Sequence, residues 1–149
     1  MEKTEREHLL REQLLCRIAF KGDAHPYVAP FQYVYLNGTL YFHFTDYGKK
    51  MKLLDIDKRV CVEIERYHPD MSEFNSIVLR GSLETVTDAE ERSNAIRRIA
   101  EEGKRRLSRN FLAAHGFQRE EGWSAFTPEK PLVIVKPSEI IEETGLKSP

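Results

Sequence analysis

The chain has 149 residues, 40% hydrophobic and 32% charged, with a formal net charge of −1. That length suits one domain, 1–149, burying about 68–70% of its unfolded surface; the composition excludes a disordered chain, and the balanced charge excludes general steering to nucleic acid or an anionic membrane. No apolar run approaches the ~18 residues that span a bilayer and the charged N-terminus lacks a signal-peptide core, so a cytoplasmic protein is expected.

The first fourteen residues read as a helix: Thr4 and Glu7 have capping-box spacing, and Leu9, Leu10 and Leu14 form an apolar stripe. A strand follows from Leu15 to Lys21, alternating Cys16, Ile18 and Phe20 against polar or small neighbours. Tyr27–Leu36 and Thr39–Phe44 are the arms of a hairpin around Asn37-Gly38. Arg59–Arg66 places Val60, Val62 and Ile64 on one face, and Phe74–Val86 does the same with Ile77, Leu79 and Leu83 around a bulge at Gly81. Thr87 and Glu90 predict a second capping box, opening a helix that Gly103 interrupts; Leu107, Phe111 and Leu112 predict a further piece ending near Gly116. Residues 117 to 130 read as a loop holding Trp123 and Phe126, and Leu132–Lys136 as the last strand, which Pro137 ends or edges. So many neighbouring strands with a mid-strand glycine predict a sheet that curls into a barrel.

Chemistry concentrates where the third strand stops. Thr45 and Asp46 are placed to cap a short helix from Tyr47 to Leu54, with Lys49 and Lys50 in its first turn. A strand end, a glycine and a helix start bring backbone N–H groups and the positive end of the helix dipole together, and lysines there can meet a phosphate. Such junctions are also common as plain solvated ends of elements. The basic residues between Arg97 and Arg109 alternate with Glu101 and Glu102 and read as a solvated helical face, not a nucleic-acid patch. His25, His68 and His115 lie by turns or helix ends. Cys16 and Cys61 have no CxxC or Cys/His spacing, so reduced thiols are expected and a metal site is not.

With the strands and this junction laid out, the order resembles the split-barrel flavin-binding fold of pyridoxamine 5′-phosphate oxidase, and within it the 5-nitroimidazole-resistance branch. The residues that carry the likeness are Pro26-Tyr27-Val28-Ala29-Pro30, then Asn37-Gly38, Leu40-Tyr41-Phe42-His43 and Gly48-Lys49-Lys50 before a leucine-rich turn. Ser76 to Gly81 and Thr144-Gly145 with Lys147 add to it, so the resemblance runs from about Arg17 to Gly145. It implies a mainly β fold: a six-stranded antiparallel split β-barrel with flanking helices. It also implies a homodimer with FMN at the subunit interface.

Position by position, the resemblance places Ala29, Pro30, Phe31 and Gln32 along the flavin ring and ribityl chain, partly through backbone groups. His43, Phe44 and Thr45 follow the cofactor towards its phosphate, which Lys49 or Lys50 neutralises, and Ser76 approaches the ring. Trp123 is expected as a wall supplied by the second subunit. The oxidase's serine before its lysine is Gly48 or Lys49 here, Phe44 and Thr45 stand where small residues are usual, and the oxidase's C-terminal arginines for substrate phosphate have no counterpart. Pyridoxamine phosphate is therefore not the expected substrate. The resemblance implies an FMN-dependent oxidoreductase passing electrons from a nicotinamide donor to a small acceptor such as a nitro compound. A flavin carrier without turnover, or the same barrel holding deazaflavin or haem, are the alternatives.

Overall fold

The computed structural model describes residues 1–114, 117 and 120–149. Period-two alternation builds its sheet. β1 (Leu15–Phe20) turns Cys16, Ile18 and Phe20 inward, and β4 (Arg59–Tyr67) does the same with Val60, Val62 and Ile64. β2 (Tyr27–Leu36) and β3 (Thr39–Phe44) form the hairpin, while β5 (Phe74–Thr85) and β6 (Val133–Lys147) complete a closed antiparallel barrel in the order β1-β2-β3-β6-β5-β4. The chain is thus the mainly β, six-stranded antiparallel barrel that was expected.

Two cores stabilise it. The barrel interior is filled by Phe20, Phe31, Tyr33, Phe42 and Phe44 with the inward aliphatics of β1, β4 and β5. Leu9 and Leu10 of α1 (Lys3–Glu12) and Leu53 and Leu54 of α2 (Lys49–Ile56) pack into this same core. Burying each such side chain is worth about 1.5–3 kcal/mol relative to leaving it in water. The second core lies outside the barrel, where α3 (Ala89–Arg106) lays Ala95, Ile96 and Ile99 over Val34, Tyr41 and Ile134. Leu112 of α4 (Arg109–Ala113) and Trp123 of the 3₁₀ turn Gly122–Ala125 join it. A polar network fixes α3 in place: the Tyr41 hydroxyl donates to Glu91 at 2.7 Å, and Lys136 Nζ donates to the same carboxylate at 2.9 and 3.0 Å. These contacts, Lys136 first and Tyr41 second, hold the Glu91 carboxyl below its usual range.

The rest of the barrel's outer face belongs to neither core. Val28, Ala19, Cys61, Arg80 and Glu142 are successive partners across five strands, as are Pro30, Arg17, Glu63, Val78 and Thr144. Arg17 donates to Glu63 and Glu65 at 3.2 and 2.6 Å on this surface, and apolar Leu15, Val28, Ile140, Ile141 and Leu146 are exposed on these strands.

Several expectations are corrected. The first helix is boxed by Glu2 and Glu5, not Thr4 and Glu7, and ends at Glu12. α2 begins at Lys49 with Gly48 as N-cap and no side-chain cap, because the Thr45 hydroxyl is turned to the Tyr47 carbonyl at 3.0 Å. α3 is capped by Asp88, whose side chain accepts from the Glu91 N–H, one residue beyond Thr87. Gly103 does not interrupt α3; it is buried within the helix because the Trp123 indole lies against it. The last strand runs far past Pro137, to Lys147. Two register shifts absorb it, leaving Ser138 and Ile141 without a partner opposite, so the missing proline N–H falls beside an irregular stretch of ladder. One of these shifts lies at Gly81, as expected; there the Glu139 carbonyl oxygen would stand 2.0 Å from a Cβ. His115 and Gly116 lie outside the described residues. Among the described residues, no helix is long and apolar enough to cross a membrane, and no group of three or more His, Cys, Asp or Glu side chains is placed to hold a metal ion.

Candidate functional site

β2 keeps two neighbours only over part of its length. Tyr33–Leu36 pair with Thr39–Phe42 of β3, whereas Tyr27–Gln32 pair with β1 alone. Beyond Phe42, β3 turns to β6, pairing His43 with Ile134 and Phe44 with Val133, and the barrel wall splits between β2 and β3. The Tyr33 N–H donates to the Leu14 carbonyl at 3.0 Å, on the β1 side. Backbone groups alternate along a strand, so those of Val28, Pro30 and Gln32 point into the split, as does the main chain of His43 on the opposite lip. Pro30 is explained by this geometry: its nitrogen faces the split, where no ladder bond is required of it. A run of main-chain acceptors and donors without a strand partner is a ready surface for a planar polar ligand.

Side chains divide by face. Phe31 and Phe44 point inward with ring centroids 4.7 Å apart, and Phe20 lies 6.1 Å from each, so these rings floor the split while their main chains pair with β1 and β6. Gln32 and His43 point outward and are buried, 4% and 6% exposed. Gln32 Nε2 donates to the Ile99 carbonyl at 3.1 Å beneath α3, and the His43 ring meets Phe126 edge-on at 4.8 Å. Pro30 is exposed and Ala29 half-buried.

The two lysines differ in what they do. Lys50 Nζ donates to the Thr45 hydroxyl and, at 3.2 Å, to the Tyr47 carbonyl, so it closes the turn between β3 and α2; its partial burial lowers its pKa. Lys49 is exposed, has no carboxylate partner among the described residues, and stands 5.3 Å from the centroid of the Tyr27 ring at the start of β2. The helix start, the β2 lip and the end of β3 therefore converge on one corner, with the exposed Lys49 ammonium at its mouth. On the other side of β3 lies a cleft of about 330 Å³, walled by His43, Thr45 and Tyr47, by Phe117 and Glu121, and by Lys130 to Leu132.

Ser76 is not brought to this corner within one chain. It pairs with Glu65 and Leu146, nine positions along β5 from Thr85, whose partner Val135 pairs with Phe42. That separation is about 30 Å of strand. Trp123, expected as a partner's wall, is 7% exposed and packed against Gly103 and Phe126 of its own chain. Residues not expected at the site are Tyr47 and Lys130, on the cleft, and Arg92 behind it; Tyr47 stands within the junction motif, whereas no motif marks Lys130 or Arg92.

The family model described as pyridoxamine 5′-phosphate oxidase matches residues 2–125. The chain belongs to that family. Solved structures agree with the family's fold. An FAD-binding protein from Mesorhizobium loti is 21% identical with a TM-score of 0.71, the match covering 100% of this chain and 96% of that one. The FAD-binding protein of Mycobacterium smegmatis is 20% identical with a TM-score of 0.63, covering 99% and 95%. A candidate 5-nitroimidazole antibiotic resistance protein from Bacteroides thetaiotaomicron is 22% identical with a TM-score of 0.67, covering 97% and 82%. No curated protein matches the chain. At these identities the structural likeness within the oxidase family is one of fold.

Proposed function

We propose that this oxidase-family chain binds FMN at the β2–β3 split and acts as an oxidoreductase, passing electrons from a nicotinamide donor to a small acceptor. The observation that carries the reading is the pairing of a main-chain lip at Val28, Pro30 and Gln32 that has no strand opposite with Lys49 at the α2 start, which has no carboxylate partner; both hold among the described residues. The lip suits the polar edge of a flavin ring, the ring's apolar body would lie over the aromatic floor, and Lys49 would meet the phosphate. Pro30, Gln32 and His43 would contribute main-chain groups, the His43 imidazole being held against Phe126; Ala29, Phe31 and Phe44 would shape the lip and its floor, Thr45 the turn beside the phosphate, and Lys50 the closure of that turn. A bound flavin supplies two-electron chemistry; the chain's part is to hold it, exclude water and leave one face reachable. The FAD-binding descriptions of two fold neighbours support a flavin.

The assembly in this reading is a homodimer. The uncovered outer face, with Leu15, Val28, Ile141 and Leu146 exposed, is the surface a second copy would cover. Ser76 lies on that face, so a twofold partner could carry its own Ser76 to the split. Both cysteines are free, as in a reducing cytoplasm.

The test compares FMN with riboflavin. Lys49→Ala is expected to weaken FMN binding about tenfold and riboflavin binding little, because a solvated charge–phosphate contact is worth on the order of 1–2 kcal/mol. Lys50→Ala should weaken both, since it loosens the turn. Equal loss of both ligands in Lys49→Ala would refute the phosphate corner, and no turnover above free FMN with a nicotinamide donor would refute the oxidoreductase.

A further inference from the structure

Behind the cleft beyond His43, one side chain does unusual work. Arg92, in the first turns of α3, directs its guanidinium to three main-chain carbonyls: Nη1 donates to Pro128 at 2.8 Å, and Nη2 to Lys130 at 2.8 Å and Leu132 at 3.0 Å. All three acceptors lie on one short strip, a turn and a bend that lead into β6 at Val133. Among the described residues Arg92 has no carboxylate within ion-pair distance; its charge is taken up by backbone alone. The strip's own bonds are short-range, Lys130 N–H to Thr127 at 3.1 Å and Leu132 N–H to Lys130 at 2.8 Å, and cannot by themselves fix it against the barrel. Yet Lys130, Pro131 and Leu132 line the cleft together with Thr45 and Tyr47.

We infer that Arg92 is a positioning residue: by clamping the 128–132 strip to α3 it sets the width of the cleft and the place of Lys130 in it. The clamp rests on the preceding reading in that the cleft shares Thr45 and Tyr47 with the turn at the phosphate corner, which makes flavin binding one of its readouts. A planar guanidinium with five fixed donors can serve three carbonyls at once, whereas an ammonium on a flexible stem cannot hold all three in one geometry. Because the guanidinium is consumed by carbonyls, its effect on a ligand is geometric and should not depend on a phosphate.

Full-length Arg92→Ala and Arg92→Lys proteins test this by amide hydrogen exchange and by titration with FMN and riboflavin. Expected are amide exchange at Lys130 and Leu132 faster by about tenfold in Arg92→Ala, with α1 amides unchanged, and a smaller increase in Arg92→Lys. FMN and riboflavin should weaken together by about tenfold in Arg92→Ala, unlike the split response of Lys49→Ala. Arg92→Lys, which keeps the charge, controls for a loss of folding in the alanine variant. Unchanged exchange at the strip overturns the clamp. Faster exchange with both flavin affinities within about twofold of wild type overturns its role in the site. A wild-type protein that binds neither flavin refutes the cofactor reading instead, and the exchange rates then decide the clamp alone.

Discussion

Gly103→Ala sets two effects of known size against each other. In a helix interior, alanine is better than glycine by about 1 kcal/mol, so α3 should gain from the change. A Cβ at Gly103, however, would lie 2.4 Å from Cη2 and Cζ3 of Trp123 and 2.5 Å from Cζ2. Ordinary carbon contacts begin near 3.5 Å, so the indole must retreat by about 1 Å. It has little room to do so: Trp123 is 7% exposed and its ring centroid lies 5.9 Å from that of Phe126, which in turn packs on His43. Overpacking of a rigid group in a filled core costs about 1–3 kcal/mol, which outweighs the propensity gain. The expected net loss is about 1 kcal/mol, or a Tm lower by about 2–4 °C at this chain length. Urea denaturation measures the loss, and fluorescence of the single tryptophan reports the displaced ring directly. In a Trp123→Leu background the clash is gone, and Gly103→Ala should become stabilising by up to about 1 kcal/mol. Stabilisation in the wild-type background, with unaltered tryptophan emission, would refute the steric argument.

Two other perturbations follow from the same geometry. Pro30→Ala should cost less than about 1 kcal/mol, the change in unfolded-chain entropy alone, because no strand lies opposite that nitrogen; a net gain in stability in denaturant unfolding, from a ladder bond made by the new N–H, would mean the split is not where the register places it. The Tyr41 hydroxyl is pushed up from 10 to about 12, by burial first and by its bond to Glu91 second. Its folded-state value lies above the unfolded one, so the neutral hydroxyl's contribution is whole below pH 10 and is lost as pH rises towards 12. Tyr41→Phe should flatten that alkaline loss, as followed by melting temperature alongside tyrosinate absorbance; an unchanged profile would show that other groups cause it.

The barrel was legible in the sequence because its signal is local. Cys16, Ile18 and Phe20, or Val60, Val62 and Ile64, state their face by alternation, and Asn37-Gly38 states its turn. The second half of β6 was not legible: Ser138, Glu139, Glu142 and Glu143 offer no buried face, and only the length of the β5 edge explains why they pair at all. Gly103 looked like a breaker because nothing near it in sequence announces a tryptophan packed against it twenty residues later. At the site, the corner at Gly48 to Lys50 was readable as a motif, but which lysine closes the turn and which stands clear depends on where the Thr45 hydroxyl points. Arg92 was invisible for a stronger reason. Its acceptors are carbonyls, which every residue possesses.

The aromatic filling of the barrel bears on how the protein is made. Phe20, Phe31, Phe42 and Phe44 occupy the interior themselves, so no prosthetic group is needed to complete the hydrophobic centre. Under the proposed flavin binding, assembly of the polypeptide and loading of the cofactor would be separate events, in that order. Cells starved of riboflavin should accumulate a folded, colourless protein that takes up pigment on later addition, without passing back through an unfolded chain.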